Sequence, residues 1–311
     1  MRWPARTGLI LCGLGGLAAG AAWFLSAPEP ISSQTIAALT EGDAEAGRRV
    51  FFAGGCASCH AKPGSEGNAR FELPGGVRLA TEFGTFVAPN ISQHPDEGIG
   101  NWSVEDLANA MMKGVTPDGT HLYPAFPYTS YTHMQPKDVS DLYAFLKTTP
   151  AIAGTAPENE LSFPFNIRRG IGLWKRINMR AEPAVVQLEG DAPEDVRLGQ
   201  YLVEGPGHCG ECHTPRNAIG GLDRSQWLAG AIAAEGEGIV PNITPQGPTG
   251  EWSKEDLVAY FETGFTPDFD SVGGSMVEVQ KNLAELRPED REAIAAYLKA
   301  IDGKPNGFPD R

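Results

Sequence analysis

The chain has 311 residues, 41% hydrophobic and 21% charged, which is apolar material enough for a substantial core and two domains rather than a disordered chain. Its formal net charge of -14, spread along the chain, excludes the basic surface that a nucleic-acid backbone requires. The 38 glycines and 25 prolines predict many turns and short helices joined by long loops.

At the N-terminus, Arg2 and Arg6 precede an uncharged run from Gly8 to Leu25, followed by Ser26-Ala27-Pro28. Eighteen uncharged residues at helical rise just cross a hydrocarbon core, with the arginines inside and Trp23 near the far interface. Residues 1–27 therefore read as a signal-anchor or transmembrane helix at a bacterial inner membrane. The alternative is a signal peptide cut near Ala19-Gly20-Ala21, leaving a soluble periplasmic protein; either reading exports the remainder of the chain. Cys12 reads as a buried thiol of this helix, because bulky Ile10 and Leu11 stand where a lipoprotein signal places small residues. Residues 28–42 form a linker.

A first domain spans residues 43–150. A leading helix from Ala44 to Phe52 enters Cys56-Ala-Ser-Cys59-His60, and a Gly/Pro-rich loop carries Pro89-Asn90-Ile91. A second helix begins at Trp102-Ser103-Val104-Glu105-Asp106-Leu107, capped by Ser103 and closed by Gly114 just before Thr116-Pro117-Asp118. Glu105 and Asp106 look like paired carboxylates, and complementarity to the helix N-terminus explains them. Trp102 lines a pocket or belongs to the core. An amphipathic helix from Asp138 to Lys147 closes the unit.

Residues 151–190 form an interdomain linker. From Leu161 to Arg180 it has no acidic residue, while Arg168, Arg169, Lys175, Arg176 and Arg180 alternate with Phe163, Phe165, Ile171, Leu173 and Trp174. This stretch fills a seam between the units, or it offers positive charge to cofactor carboxylates, anionic lipid or a partner.

A second domain, 191–304, repeats the first, and residues 305–311 are a tail. A helix from Glu194 to Val203 leads into His208 and Cys209-Gly-Glu-Cys212-His213, with His208 read as a local surface feature. Pro241-Asn242-Ile243, Trp252-Ser253-Lys254-Glu255-Asp256-Leu257, Gly264 with Thr266-Pro267-Asp268, and a helix from Asp290 to Lys299 come after it in the same order. The two cysteine motifs lie 153 residues apart, and recurrence over three separated blocks marks a duplicated domain. No segment shows sustained period-two alternation, so the fold is mainly α.

In C-x-x-C-H, one helical turn presents two thiols that form thioethers with the vinyl groups of a haem, while the adjacent imidazole ligates its iron. A zinc site or a thioredoxin-like dithiol uses C-x-x-C, but neither needs histidine directly after both second cysteines. Cys56, Cys59 and His60, with Cys209, Cys212 and His213, are thus the candidate residues for two covalently bound haems c. Once exported, no cysteine is left for a structural disulfide.

With these motifs, the segments Leu122-Tyr-Pro-Ala-Phe-Pro-Tyr-Thr-Ser-Tyr131, Phe163-Pro-Phe-Asn-Ile-Arg168, Gly207 to Arg216 and Gly273-Gly-Ser-Met276 give a resemblance. The chain resembles di-haem class I-type cytochromes c, especially the cytochrome subunits of membrane-bound bacterial alcohol and gluconate dehydrogenases, although it has two haem motifs where those have three. The resemblance implies two tandem class I cytochrome c-like domains and a distal methionine on each iron. Met276 stands where the family places that ligand, and Met134, just before the closing helix, is the candidate in the first unit. The two are out of register: Met134 lies 4 residues before Asp138, Met276 14 before Asp290. His121 and His133 are the alternatives.

The function implied is electron transfer without catalysis, from a periplasmic dehydrogenase as donor to a soluble cytochrome c, oxidase or other respiratory complex. A di-haem peroxidase, which needs an iron with a releasable distal position, and a fixed subunit of a terminal oxidase are the alternatives.

Overall fold

The computed structural model describes residues 3–179, 184–234 and 238–308, with side chains from Cys12 onward. The two halves of the repeat are built alike. Asp43 caps the first leading helix, Ala44–Ala53, by accepting from the Ala46 amide at 2.8 Å. Val50, Phe51 and Phe52 of that helix join Val139, Leu142, Phe145 and Leu146 of the closing helix, Pro136–Leu146, in the core. In the second half Glu194–Glu204 packs on Pro288–Ala300. Both crossings are tight at one point: a Cβ at Gly47 would lie 1.9 Å from the Asp141 carbonyl oxygen, and one at Gly199 1.9 Å from that of Ala293. Only a residue without a side chain allows that approach.

The tryptophan helices, Val104–Lys113 and Lys254–Thr263, carry the expected caps. Ser103 Oγ accepts from the Asp106 amide at 3.1 Å, and the Asp106 carboxylate accepts from the Ser103 amide at 2.9 Å. Ser253 and Asp256 repeat the pair at 3.0 and 2.9 Å. Gly114 and Gly264 end both helices in the left-handed conformation. Trp102 and Trp252 are partly buried against the core.

Short strands add to the helices. Arg78–Thr81, Gly84–Val87 and Glu160–Leu161 form an antiparallel sheet, and Ala231–Ile232 pairs with Ile239–Val240. Strands of two to four residues are too short to print an alternating pattern, which is why the sequence does not announce them.

The halves meet by a two-fold-like exchange. Arg49 of the first leading helix grips Asp290 of the second closing helix through Nε at 2.8 Å and Nη2 at 2.7 Å. Tyr201, the counterpart of Arg49, donates to Asp138, the counterpart of Asp290. Each half thus offers its leading helix to the other's closing helix, the self-complementary pattern of a symmetric dimer made within one chain.

The segment between them contains a helix absent from the sequence reading, Gly170–Asn178. Its basic residues reach mostly chain carbonyls, and Arg176 also pairs with Glu29 at 2.6 Å. Arg169 donates to Trp23 O at 2.8 Å and to Ser26 Oγ at 2.9 Å, and Arg168 to His121 O at 3.0 Å. Lys175 covers the C-terminus of the first tryptophan helix through Lys113 O and Gly114 O at 2.6 and 2.7 Å. These partners lie at the N-terminal helix and in the first half of the repeat, not across the two units, and Arg180 lies outside the described residues.

The N-terminal helix runs from Trp3 to Leu25 as expected. The expected membrane span differs: among the described residues no helix is long and apolar enough to cross a membrane, and the side chains of residues 1–11 lie outside the description. In the described part, the glycines and alanines between Gly13 and Ala22 dilute the leucines.

Candidate haem-attachment sites

Each cysteine motif occupies a single helical turn after a leading helix, Cys56–His60 in the first half and Gly210–His213 in the second. In the first, Gly55 in the left-handed conformation turns the chain out of the leading helix. In the second, a Cβ at Gly210 would lie 2.1 Å from the Trp227 ring, so the motif sits directly on that indole. No disulfide joins cysteines of the described residues, and no group of three or more His, Cys, Asp or Glu side chains converges there, so the two pairs do not assemble a zinc site.

Burial pushes the thiols of Cys56 and Cys209 up to about 12 and raises that of Cys59. A dithiol used for exchange has its thiol lowered, the opposite direction to these three.

The imidazoles are held for ligation. His60 Nδ1 lies 2.8 Å from Pro89 O, and His213 Nδ1 lies 2.7 Å from Pro241 O. A carbonyl accepts only, so Nδ1 carries the proton and the Nε2 lone pair is left for a metal, the usual arrangement of a metal-binding histidine. Burial lowers both histidines, against the opposing pull of the carbonyl bond, which keeps the rings neutral and able to donate. These residues fit a c-type haem.

The recurrence of Pro-Asn-Ile acquires its reason here. Asn90 Nδ2 donates to Ile152 O at 2.8 Å and Gly154 O at 2.9 Å, and its Oδ1 accepts from the Ser92 amide at 2.8 Å. Asn242 likewise donates to Lys304 O at 2.8 Å and accepts from the Thr244 amide at 2.9 Å. Each buried asparagine therefore pins the proline carbonyl that orients the histidine, a role the sequence signalled only by repetition. A second repeated feature went unread: Leu73 and Leu228 are both fully buried at positive φ, 53° and 58°, and each accepts through its carbonyl from the isoleucine of Pro-Asn-Ile.

His208 is a correction. Expected as a surface feature, it is part-buried, its Nε2 is 3.2 Å from Gly54 O, and its ring stands edge-on to Tyr131 at 5.6 Å. Glu211, inside the second motif, accepts from Thr129 and from Ser130 Oγ at 3.0 Å, and pairs with Arg216 at 2.6 Å. The two motifs thus meet, because Gly54 lies two residues before Cys56 and His208 directly precedes Cys209.

Met276 is part-buried at the start of the helix Met276–Leu283, whereas Met134 is buried in the core at 3% exposure. His121 Nε2 is 2.9 Å from Ser26 O and its Nδ1 is 3.1 Å from Lys175 Nζ, so that ring is engaged away from the motifs.

Residues 44–150 match the family described as cytochrome c. Over 97% of its length the chain is 52% identical to a protein of Cereibacter sphaeroides described as diheme cytochrome c-type, of which it covers 99%. It is 36% identical to the fructose dehydrogenase cytochrome subunit of Gluconobacter japonicus, over 83% of this chain and 52% of that protein. It is also 32% identical to the gluconate 2-dehydrogenase cytochrome c subunit of Pantoea cypripedii, over 83% of this chain and 59% of that protein. The chain thus spans a little over half the length of those last two relatives.

Proposed function

Since the chain belongs to the di-haem c-type cytochromes and carries two covalently bound haems c, we propose that it relays electrons from a periplasmic dehydrogenase to a soluble cytochrome c, an oxidase or another respiratory complex. In this reading Cys56 and Cys59 bind the first haem and His60 its iron, while Cys209, Cys212 and His213 do the same for the second. Met276 would supply the second iron's other protein ligand. The haems supply one-electron chemistry; the chain holds each imidazole neutral and aimed through the Pro89 and Pro241 carbonyls. The haem domains are residues 43–150 and 191–304, joined by 151–190.

The observation that carries the relay is the junction of the motifs. His208 against Gly54 joins the flanks of the two attachment segments, and Glu211 of the second motif reaches Thr129 and Ser130 of the first half, which supports transfer between haems within one chain. The test is isolation of the full-length holoprotein in mild detergent. A dehydrogenase should accompany it, and that enzyme's substrate should reduce both haems. Haems that no accompanying dehydrogenase reduces, in a preparation that consumes peroxide with an added donor, would transfer the protein to the peroxidase class.

The N-terminal helix is proposed to hold the protein on the periplasmic face of the inner membrane. Leu14, Leu17, Trp23 and Phe24 along it are 58%, 74%, 67% and 77% exposed, which suits lipid contact. Alkaline washing of membranes should leave the full-length protein bound; release of a chain whose N-terminus begins near residue 22 favours the cleaved periplasmic form.

A further inference from the structure

The inference rests on the haem reading and concerns the side of the first haem opposite His60. Between each tryptophan helix and the next helix the two halves run in register. Val115 bridges His121 as Phe265 bridges Ser271. The Thr116 amide donates to Thr120 O at 3.0 Å as that of Thr266 does to Asp270 O at 2.8 Å, and the Leu122 amide donates to Gly114 O at 2.7 Å as that of Val272 does to Gly264 O at 2.8 Å. Every one of these counterparts is 150 residues from its partner. Four residues beyond Leu122 stands Phe126, and four beyond Val272 stands Met276.

Met134 belongs to another register. It lies two residues before Pro136, which opens the first closing helix, as Leu286 lies two before Pro288, which opens the second. The Met134 amide donates to Tyr131 O at 3.0 Å and that of Leu286 to Leu283 O at 3.1 Å. Both side chains are core, 3% and 4% exposed. Met134 therefore does the packing that Leu286 does. The position that carries a sulfur in the second half carries in the first a phenyl ring, set edge-on to Tyr131 at 5.4 Å. That ring has no lone pair to give a metal. Of the imidazoles, His121 is engaged by Ser26 O and Lys175, and Nε2 of His208 by Gly54 O, while His133 adjoins Met134 and shares its register, corresponding to Glu285 and not to Met276.

We propose that the iron held by His60 receives no distal ligand from this chain and binds a small exogenous ligand there, of the size and π-acceptor character of carbon monoxide or cyanide, whereas the iron held by His213 is closed by Met276. Distal access and donors decide whether a haem binds a ligand or only passes electrons. The two haems then differ in kind, although their proximal sides are built alike.

The test is a carbon monoxide titration of the chemically reduced full-length holoprotein, after its mass has established two attached haems. Fewer than two haems would defeat the underlying reading and not this inference. The expected stoichiometry is one carbon monoxide per chain. Met134→Leu, a volume-conserving core change, should leave stoichiometry and spectrum unaltered. Met276→Leu should raise the stoichiometry to two, and Phe126→Met should lower it to zero and add a second thioether-to-iron absorption band in the oxidised protein. A native protein that binds none, a Met134→Leu protein that loses a thioether band or gains a second equivalent, or a Phe126→Met protein that still binds one would overturn the proposal.

Discussion

The smallest unit of the protein's chemistry is a proline carbonyl. Pro89 O and Pro241 O fix the tautomers of His60 and His213, and the asparagine after each proline holds the carbonyl in place. Replacing Asn242 by Ala leaves the Lys304 carbonyl and the Thr244 amide without their partner in a fully buried position. The expected cost is about 1–3 kcal/mol of stability, read by urea unfolding of the holoprotein. A freed Pro241 carbonyl also weakens the electron donation of His213, so the potential of the second haem should rise. A potential that stays fixed in spectroelectrochemistry would detach Asn242 from the histidine. At this scale the cysteines and histidines were legible because the motif is local, whereas the contacts of His208 were not, because Gly54 is 154 residues away.

At the scale of elements, the caps and the helix crossings hold each half together. The serine caps and closing glycines could be read from the chain because a capping box is a contact between residues three apart. The crossings could not. Gly47 and Gly199 recur among many glycines, and only the packed helices reveal that their missing side chains admit Asp141 O and Ala293 O. Gly199→Ala should force the second leading and closing helices apart and lower stability by about 1–3 kcal/mol, seen as a reduced Tm. An alanine variant of Gly13, which has nothing within 4 Å of its added Cβ, should cost nothing comparable. The helix Gly170–Asn178 escaped the sequence reading because its basic side chains find their partners in the carbonyls of two other helices.

For the whole molecule the decisive contact is Arg49 with Asp290, matched by Tyr201 with Asp138. Burial of the Asp290 carboxyl disfavours its charge, but hydrogen bonds from Arg49 and Arg287 outweigh this and hold it below the ordinary 3.8. A carboxyl depressed by folding contributes stability above the unfolded value and loses it as pH falls through the folded one. Docking of the halves should therefore weaken below about pH 4, the ordinary carboxylate range. Arg49→Met should cost about 1.5–3 kcal/mol at neutral pH, the range of charge-assisted hydrogen bonds, because Arg287 still reaches Asp290 at 3.2 Å. It should also flatten the acid-side loss. Unfolding curves at pH 7 and at about pH 3, below the ordinary carboxylate value, check both, and an equal acid loss in native and variant protein would remove the pair from the docking energy.

Sequence alone determined the duplication, the helical class, the paired C-x-x-C-H turns and the serine caps, because each is written in residues a few positions apart and then repeated. The meeting of the two motifs, the backbone contacts at Gly47 and Gly199, and the burial of Met134 were decided only by tertiary structure. A distance along the chain fixes which atoms share a helical turn. Which atoms meet across 94 residues, as Gly47 and Asp141 do, depends on how two amphipathic helices cross, and spacing carries no record of that.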